Sequence, residues 1–149
     1  MNKLKKRKKG GFTLIEMVVV IAIVVIIAAI AIPQALKAIN KSKASTDIAN
    51  ARTYAGQIMA KVANGDIQVD NLKGDATTPA ELTDSTPVDF GLTVATPKLL
   101  KEGKFYYAYD KVKEEITIYV IEDKKKELIY PSVAGAEYIK YINPTKTTP

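Results

Sequence analysis

One carboxylate inside an apolar run constrains this chain more than any other feature. From Phe12 to Ile32 every residue is apolar except Thr13 and Glu16. Wound as a helix at ~1.5 Å per residue, that run is about 31 Å long, enough to cross the hydrocarbon core of a bilayer. Such a surface has to be covered by lipid or by protein. An acid in it costs about 2.5–3.5 kcal/mol at the bilayer centre and less near the interface, where Glu16 lies. Its position therefore calls for a partner.

The flanks orient the span. Lys3, Lys5, Lys6, Arg7, Lys8 and Lys9 precede it with no acid among them. The remaining 16 basic residues match the 16 acidic ones, so the net charge of +6 belongs to this short leader. That distribution argues against a basic nucleic-acid-binding domain. A basic stretch before an apolar run has the layout of a secretory signal, but the apolar run is long, and Ala28-Ala29-Ile30-Ala31 lies inside it rather than at a turn beyond it. The positive-inside rule then places residues 1–11 in the cytoplasm and the C-terminus outside. Gly10-Gly11 is unhindered and flexible, a segment that a protease can take in extended form, or simply an interfacial loop. A cut after Gly11 would remove the basic residues and expose an α-amine on Phe12. That amine would be a positive charge at the level of Glu16.

These residues are similar to those of a known family. The Lys-rich leader, Gly11-Phe12-Thr13-Leu14-Ile15-Glu16, the apolar run and Pro33 together resemble the class III signal of type IV prepilins and pseudopilins. The resemblance covers roughly residues 1–64. It implies that residues 1–11 are a cleaved leader, that a prepilin peptidase cuts between Gly11 and Phe12, and that the same enzyme N-methylates the Phe12 amine. It further implies that Glu16 pairs with the N-terminal amine of an adjacent subunit. Thr13, Leu14 and Ile15 then form part of the assembly segment, and Pro33 stands at a helix-bending position.

Beyond Pro33 the apolar residues Leu36, Ile39, Ile48, Ala51, Ala55, Ile58, Met59 and Val62 recur at helical spacing, and Asn64-Gly65 is a stop signal. The expected helix runs from Phe12 to about Ala63: residues 12–33 form a membrane and assembly half, residues 34–64 an amphipathic half. Residues 65–149 form a head. Within it, 65–103 is a long connection, with a short strand expected around Val88–Leu92 and a helical turn at Pro97–Glu102. From Lys104 the period changes to two. Phe105, Tyr107 and Tyr109, then Ile116, Ile118 and Val120, then Leu128-Ile129-Tyr130 predict an antiparallel meander within 104–142. Glu137–Ile142 is ambiguous between strand and other structure, and 143–149 reads as a flexible tail. The fold class is α+β, the second half of a long N-terminal helix lying on a small antiparallel sheet.

The chain has no cysteine and no histidine. The usual general base, thiol nucleophile and zinc ligands are therefore absent, and no catalytic motif takes their place. No catalytic residue, metal or cofactor is assigned. Asp66, Asp70 and Asp75 lack the residue order of a calcium loop. Lys104, Tyr106 and Tyr107 set basic and aromatic groups together, as nucleic-acid grooves do, but tyrosines alternating in a strand read as sheet packing. Lys124-Lys125-Lys126 reads as a solvated turn, with a patch for DNA or another surface as the alternative. Asn40-Lys41-Ser42 matches a glycosylation sequon on the helix.

The expected role is thus a structural one: a pilus subunit, most simply the major pilin, with other copies of itself, the prepilin peptidase, an assembly platform and its ATPase as partners. It would sit in the cytoplasmic membrane as a precursor and on the cell surface as a filament. A pseudopilin of a type II secretion or competence system fits the same N-terminus. A membrane-anchored enzyme or binding module is the third reading.

Overall fold

The computed structural model describes residues 11–83 and 90–142. Its longest element is helix α1, Leu14–Ala63, which continues through Pro33. Proline removes one helical N–H bond, but the strong helix formers on either side carry the segment on. The helix ends as the Asn64-Gly65 pair predicts. Gly65 takes φ +80°, and the N–H groups of Gly65 and Asp66 donate to the carbonyls of Val62 and Lys61 at 3.1 and 2.9 Å. This is a Schellman stop, which needs a residue free to adopt a left-handed conformation.

The chain divides into two units, residues 1–37 and 38–149. In the first, the large apolar side chains from Phe12 to Leu36 are exposed. By length and composition α1 can cross a membrane. In the second unit the same helix turns one face to a core. Ala44, Ile48, Ala51, Tyr54, Ala55 and Ile58 are buried there, and Met59 and Val62 are partly so. Leu36 and Ile39, expected on that stripe, are exposed instead. The buried face begins at Ala44.

The sheet has four antiparallel strands in the order β1 (Ala80–Glu81), β2 (Lys104–Asp110), β3 (Glu115–Glu122) and β4 (Lys125–Tyr130). The period-two pattern sets its inner face. Phe105, Tyr107 and Tyr109 stand opposite Val120, Ile118 and Ile116, and all six are buried. The Tyr54 ring of α1 meets Phe105 edge-to-face at 5.3 Å. Such a pair adds about 0.5–1.5 kcal/mol beyond the area it buries. The β3–β4 hairpin has a two-residue loop, Asp123-Lys124, with both residues at positive φ, the backbone that matches strand twist.

Four expectations require correction. The sheet does not extend through 104–142: residues Ala136–Ile142 form a helix, α2, and Tyr138 is fully buried under it. Burial of that one ring decides between helix and strand where the local pattern does not. The sheet also gains an edge strand, β1, from within the 65–103 connection. Of the strand expected around Val88–Leu92, residues 90–92 are irregular, and Val88 and Asp89 lie outside the described residues. The tail 143–149 also lies outside them, as do residues 1–10 of the leader. Pro97–Glu102 forms bends and a turn rather than a helix.

With no cysteine, the long connection is held by buried polar groups. The Tyr54 hydroxyl accepts the Ala95 N–H at 2.9 Å. Asp47, fully buried on α1, accepts the backbone N–H groups of Lys98 at 2.6 Å and Leu99 at 2.9 Å, and the Tyr138 hydroxyl donates to it at 2.9 Å. One carboxylate thereby ties α1, the 97–102 turn and α2 together. Burial, and the Asp47 carboxylate beside it, push the Tyr138 hydroxyl far above the ordinary phenol range, so it remains a donor. Asp47→Ala is expected to destabilise the head by about 2–4 kcal/mol, because three donors lose their acceptor, and Tyr138→Phe by about 1–2 kcal/mol. Urea unfolding of the full chain in neutral detergent, followed by tyrosine circular dichroism, checks both. A loss below about 0.5 kcal/mol for Asp47→Ala would show that the carboxylate does not hold these segments.

Candidate functional site

The sequence points to residues 11–16 and Pro33. Gly11 and Phe12 precede the helix in extended or irregular backbone, and both are exposed. Thr13 is the helix N-cap. Its carbonyl accepts the Met17 N–H at 3.4 Å, the first bond of the helix, so α1 begins two residues later than expected. Leu14 and Ile15 are exposed on the first turn. Pro33 lies within the helix, well beyond this cluster in sequence, and makes no part of it.

Thr13 and Glu16 contact each other. The Thr13 backbone N–H and hydroxyl both donate to Glu16 Oε2 at 2.7 Å, and the Glu16 N–H donates to Thr13 Oγ1 at 3.3 Å. This reciprocal arrangement is a capping box: two N–H groups that the helix end leaves over are bonded by the two side chains. The carboxylate also lies at the positive end of the helix dipole. Glu16 is thus partly satisfied within its own chain by neutral donors, and Oε1 is the oxygen that a further donor can reach. The spacing Thr-x-x-Glu carries this signal in the sequence. Reading Glu16 only as a charge in search of a cation overlooks it.

The exposed apolar residues define the surroundings. Phe12 is 84% exposed and Leu14 83%, and the valines and isoleucines from Val18 to Ile32 follow them in exposure. An unbroken apolar surface of this length needs lipid or further helices over it.

The second acid that matters, Asp47, was not singled out by its sequence context. Its signal was available: it falls between Ala44 and Ile48 on the buried stripe, where a carboxylate must be bonded to remain. The acids considered for a metal go elsewhere. Asp70 pairs with Lys111 at 2.8 Å, which holds its carboxyl below the usual carboxylate range. Asp75 accepts hydrogen bonds from Thr77 and Thr78, which lower its pKa likewise. The aromatic patch considered for nucleic acid is divided, with Tyr107 in the core.

The family comparison falls on this same segment. A family model for the prokaryotic N-terminal methylation motif matches residues 6–32. The chain carries the hallmark N-terminus of type IV pilins and pseudopilins. No curated protein and no solved structure matches the chain. The methylation motif implies processing by a prepilin peptidase and assembly with other pilins, and together with the apolar helix it fits a membrane-anchored precursor. It favours a structural subunit over an enzyme. The long apolar helix and four-stranded antiparallel sheet accord with a pilin fold.

Removing the Thr13 hydroxyl tests the capping box. Thr13→Ala is expected to weaken the helix start by about 0.5–2 kcal/mol, and Thr13→Ser to restore most of it. Amide hydrogen exchange at residues 14–17 of the full chain in micelles reads the effect. Unchanged exchange in the alanine variant would mean that the box contributes nothing to the helix start.

Proposed function

We propose that this chain is a structural subunit of a type IV pilus, and most simply its major pilin. A prepilin peptidase cuts between Gly11 and Phe12, and the new Phe12 amine is methylated. The observation that carries this reading is the methylation motif over residues 6–32, which runs into a helix whose large apolar residues are exposed from Leu14 to Leu36. Before assembly lipid covers that surface. In the filament, helices of neighbouring copies cover it. The subunit itself performs no chemistry, and an assembly ATPase on a membrane platform supplies the work.

Glu16 has a defined part in this scheme. In the free subunit its carboxylate is bonded by the Thr13 N–H and hydroxyl. Cleavage at Gly11 leaves both donors in place, since Thr13 keeps its peptide N–H. The cut adds a positive amine on Phe12, methylated but still charged. A neighbouring copy offering that amine to Glu16 forms an ion pair in a low-dielectric core, where it is far stronger than in water. Leu14 and Ile15, exposed on the first turn, belong to the same assembly segment, and Pro33 stands at its helix-bending position.

The mature chain should begin at Phe12 and carry one methyl group on its amine. Mass spectrometry of the N-terminal peptide from sheared surface filaments tests this, and an intact leader in that material overturns it. A chain processed at Phe12 yet missing from surface filaments would instead be a pseudopilin. Glu16→Val is expected to leave membrane insertion intact or improved and to reduce filament yield severely. Wild-type yield from cells with only that variant would exclude Glu16 as the pairing charge.

A further inference from the structure

We propose that a cleft between α1 and the turn that follows Thr96 binds the phosphate of an anionic phospholipid headgroup. The cleft holds about 490 Å³. Ser42, Lys43 and Thr46 line it from α1, and Thr96, Lys98 and Lys101 from the facing turn. Three lysines and three hydroxyl-bearing residues line it, with no carboxylate among them. The Thr46 hydroxyl donates to the Ser42 carbonyl at 3.0 Å, which leaves the lysines, Ser42 and Thr96 as the donors for a ligand. Hydroxyl and ammonium donors are the groups that bind phosphate oxygens.

The charge is uncompensated. Elsewhere on the head, Lys104, Lys111 and Lys113 pair with Glu81, Asp70 and Asp110. Among the described residues, Lys43, Lys98 and Lys101 have no such ion pair. The adjacent acid on α1, Asp47, is fully buried and is used by the N–H groups of Lys98 and Leu99 and by Tyr138. That same carboxylate fixes the turn to the helix, so the two walls of the cleft are held in place before any ligand arrives.

The sequence chooses the source of the phosphate. Between Ile32, where the apolar run ends, and Asp47, α1 carries Lys37, Lys41 and Lys43 and no acid. Lysines near a membrane surface are attracted to the anionic headgroups of the leaflet they face, here the one on the side opposite the basic leader. The choice of a lipid rests on the proposed membrane-spanning role of α1. Bound this way, the head of the precursor is held at the membrane surface, and entry into a filament breaks the contact.

The test uses the full chain in neutral detergent micelles. Dihexanoyl phosphatidylglycerol, dihexanoyl phosphatidylcholine and inorganic phosphate are titrated separately, and the amide resonances of Thr46, Thr96 and Lys98 are followed. Phosphatidylglycerol should shift them saturably and phosphatidylcholine should not. The combined variant Lys43→Gln, Lys98→Gln, Lys101→Gln should bind at least ~10-fold more weakly, as expected when charge-assisted contacts are lost. A charge-matched variant at Lys113, Lys124 and Lys125 should bind as the parent does. Equal shifts with both lipids, no loss in the cleft variant, or equal loss in both variants overturns the proposal. Inorganic phosphate binding as tightly as phosphatidylglycerol overturns the lipid and leaves a free-anion site. Processing at Gly11, read by mass in the same preparations, separates this result from the pilus reading: an unprocessed parent chain refutes the latter whatever the titration shows.

Discussion

The head depends on one buried carboxylate. Asp47 receives two backbone N–H groups from one segment and a phenol from another, while itself standing on the helix that carries the core face. A head of this size, with a long irregular connection and no disulfide, has to fix its loops by other means. Apolar burial holds the sheet against α1, but it is non-directional and would tolerate the connection in several positions. Hydrogen bonds to a charged, fully buried acceptor do not tolerate them. They hold the 97–102 turn and α2 in one arrangement, because any other leaves a carboxylate unbonded in a dry interior.

The same helix carries a second costly acid, and it is handled differently. Glu16 is exposed on an apolar segment and is bonded by the residue that starts the helix. Asp47 is satisfied permanently and contributes to a fixed fold. Glu16 is satisfied only by neutral donors from its own chain, which lowers the cost of holding it in lipid without using up its capacity for a stronger partner. The distinction separates a structural acid from one suited to assembly, and it is visible in which oxygens are occupied: Asp47 is engaged at both Oδ1 and Oδ2, whereas Thr13 reaches only Oε2 of Glu16.

Much of this was legible in the sequence because it depends on periodicity and local signals. The long helix, its Gly65 stop and the three long strands follow from apolar spacing and turn residues. What was not legible depends on distant partners. β1 is two residues long, and nothing local marks Ala80-Glu81 as a strand; it exists because Tyr106 and Tyr107 of β2 offer an edge to pair with. α2 has a pattern that serves helix or strand equally, and only the seat for Tyr138 beside Asp47 decides it. Close approach hides in the same way. A side chain at Gly135 would collide with Glu127, whose carboxylate accepts the Glu137 N–H at 3.2 Å at the start of α2.

The capping box also refines what processing has to accomplish in the proposed scheme. If Glu16 lacked any partner before cleavage, insertion of the precursor would be opposed by the full cost of the acid. With Thr13 bonding it, that cost is reduced before and after the cut alike, since neither donor is touched by cleavage between Gly11 and Phe12. Besides removing the basic leader, processing then changes one quantity at the box itself, the charge on the adjoining amine. A neutral peptide N–H at Phe12 gives a neighbour's Glu16 little that Thr13 does not already supply. A methylated ammonium gives it an opposite charge in a medium that screens poorly. In the proposed scheme, selection between precursor and mature subunit during assembly therefore follows from the charge at this site and requires no change in the fold of the head.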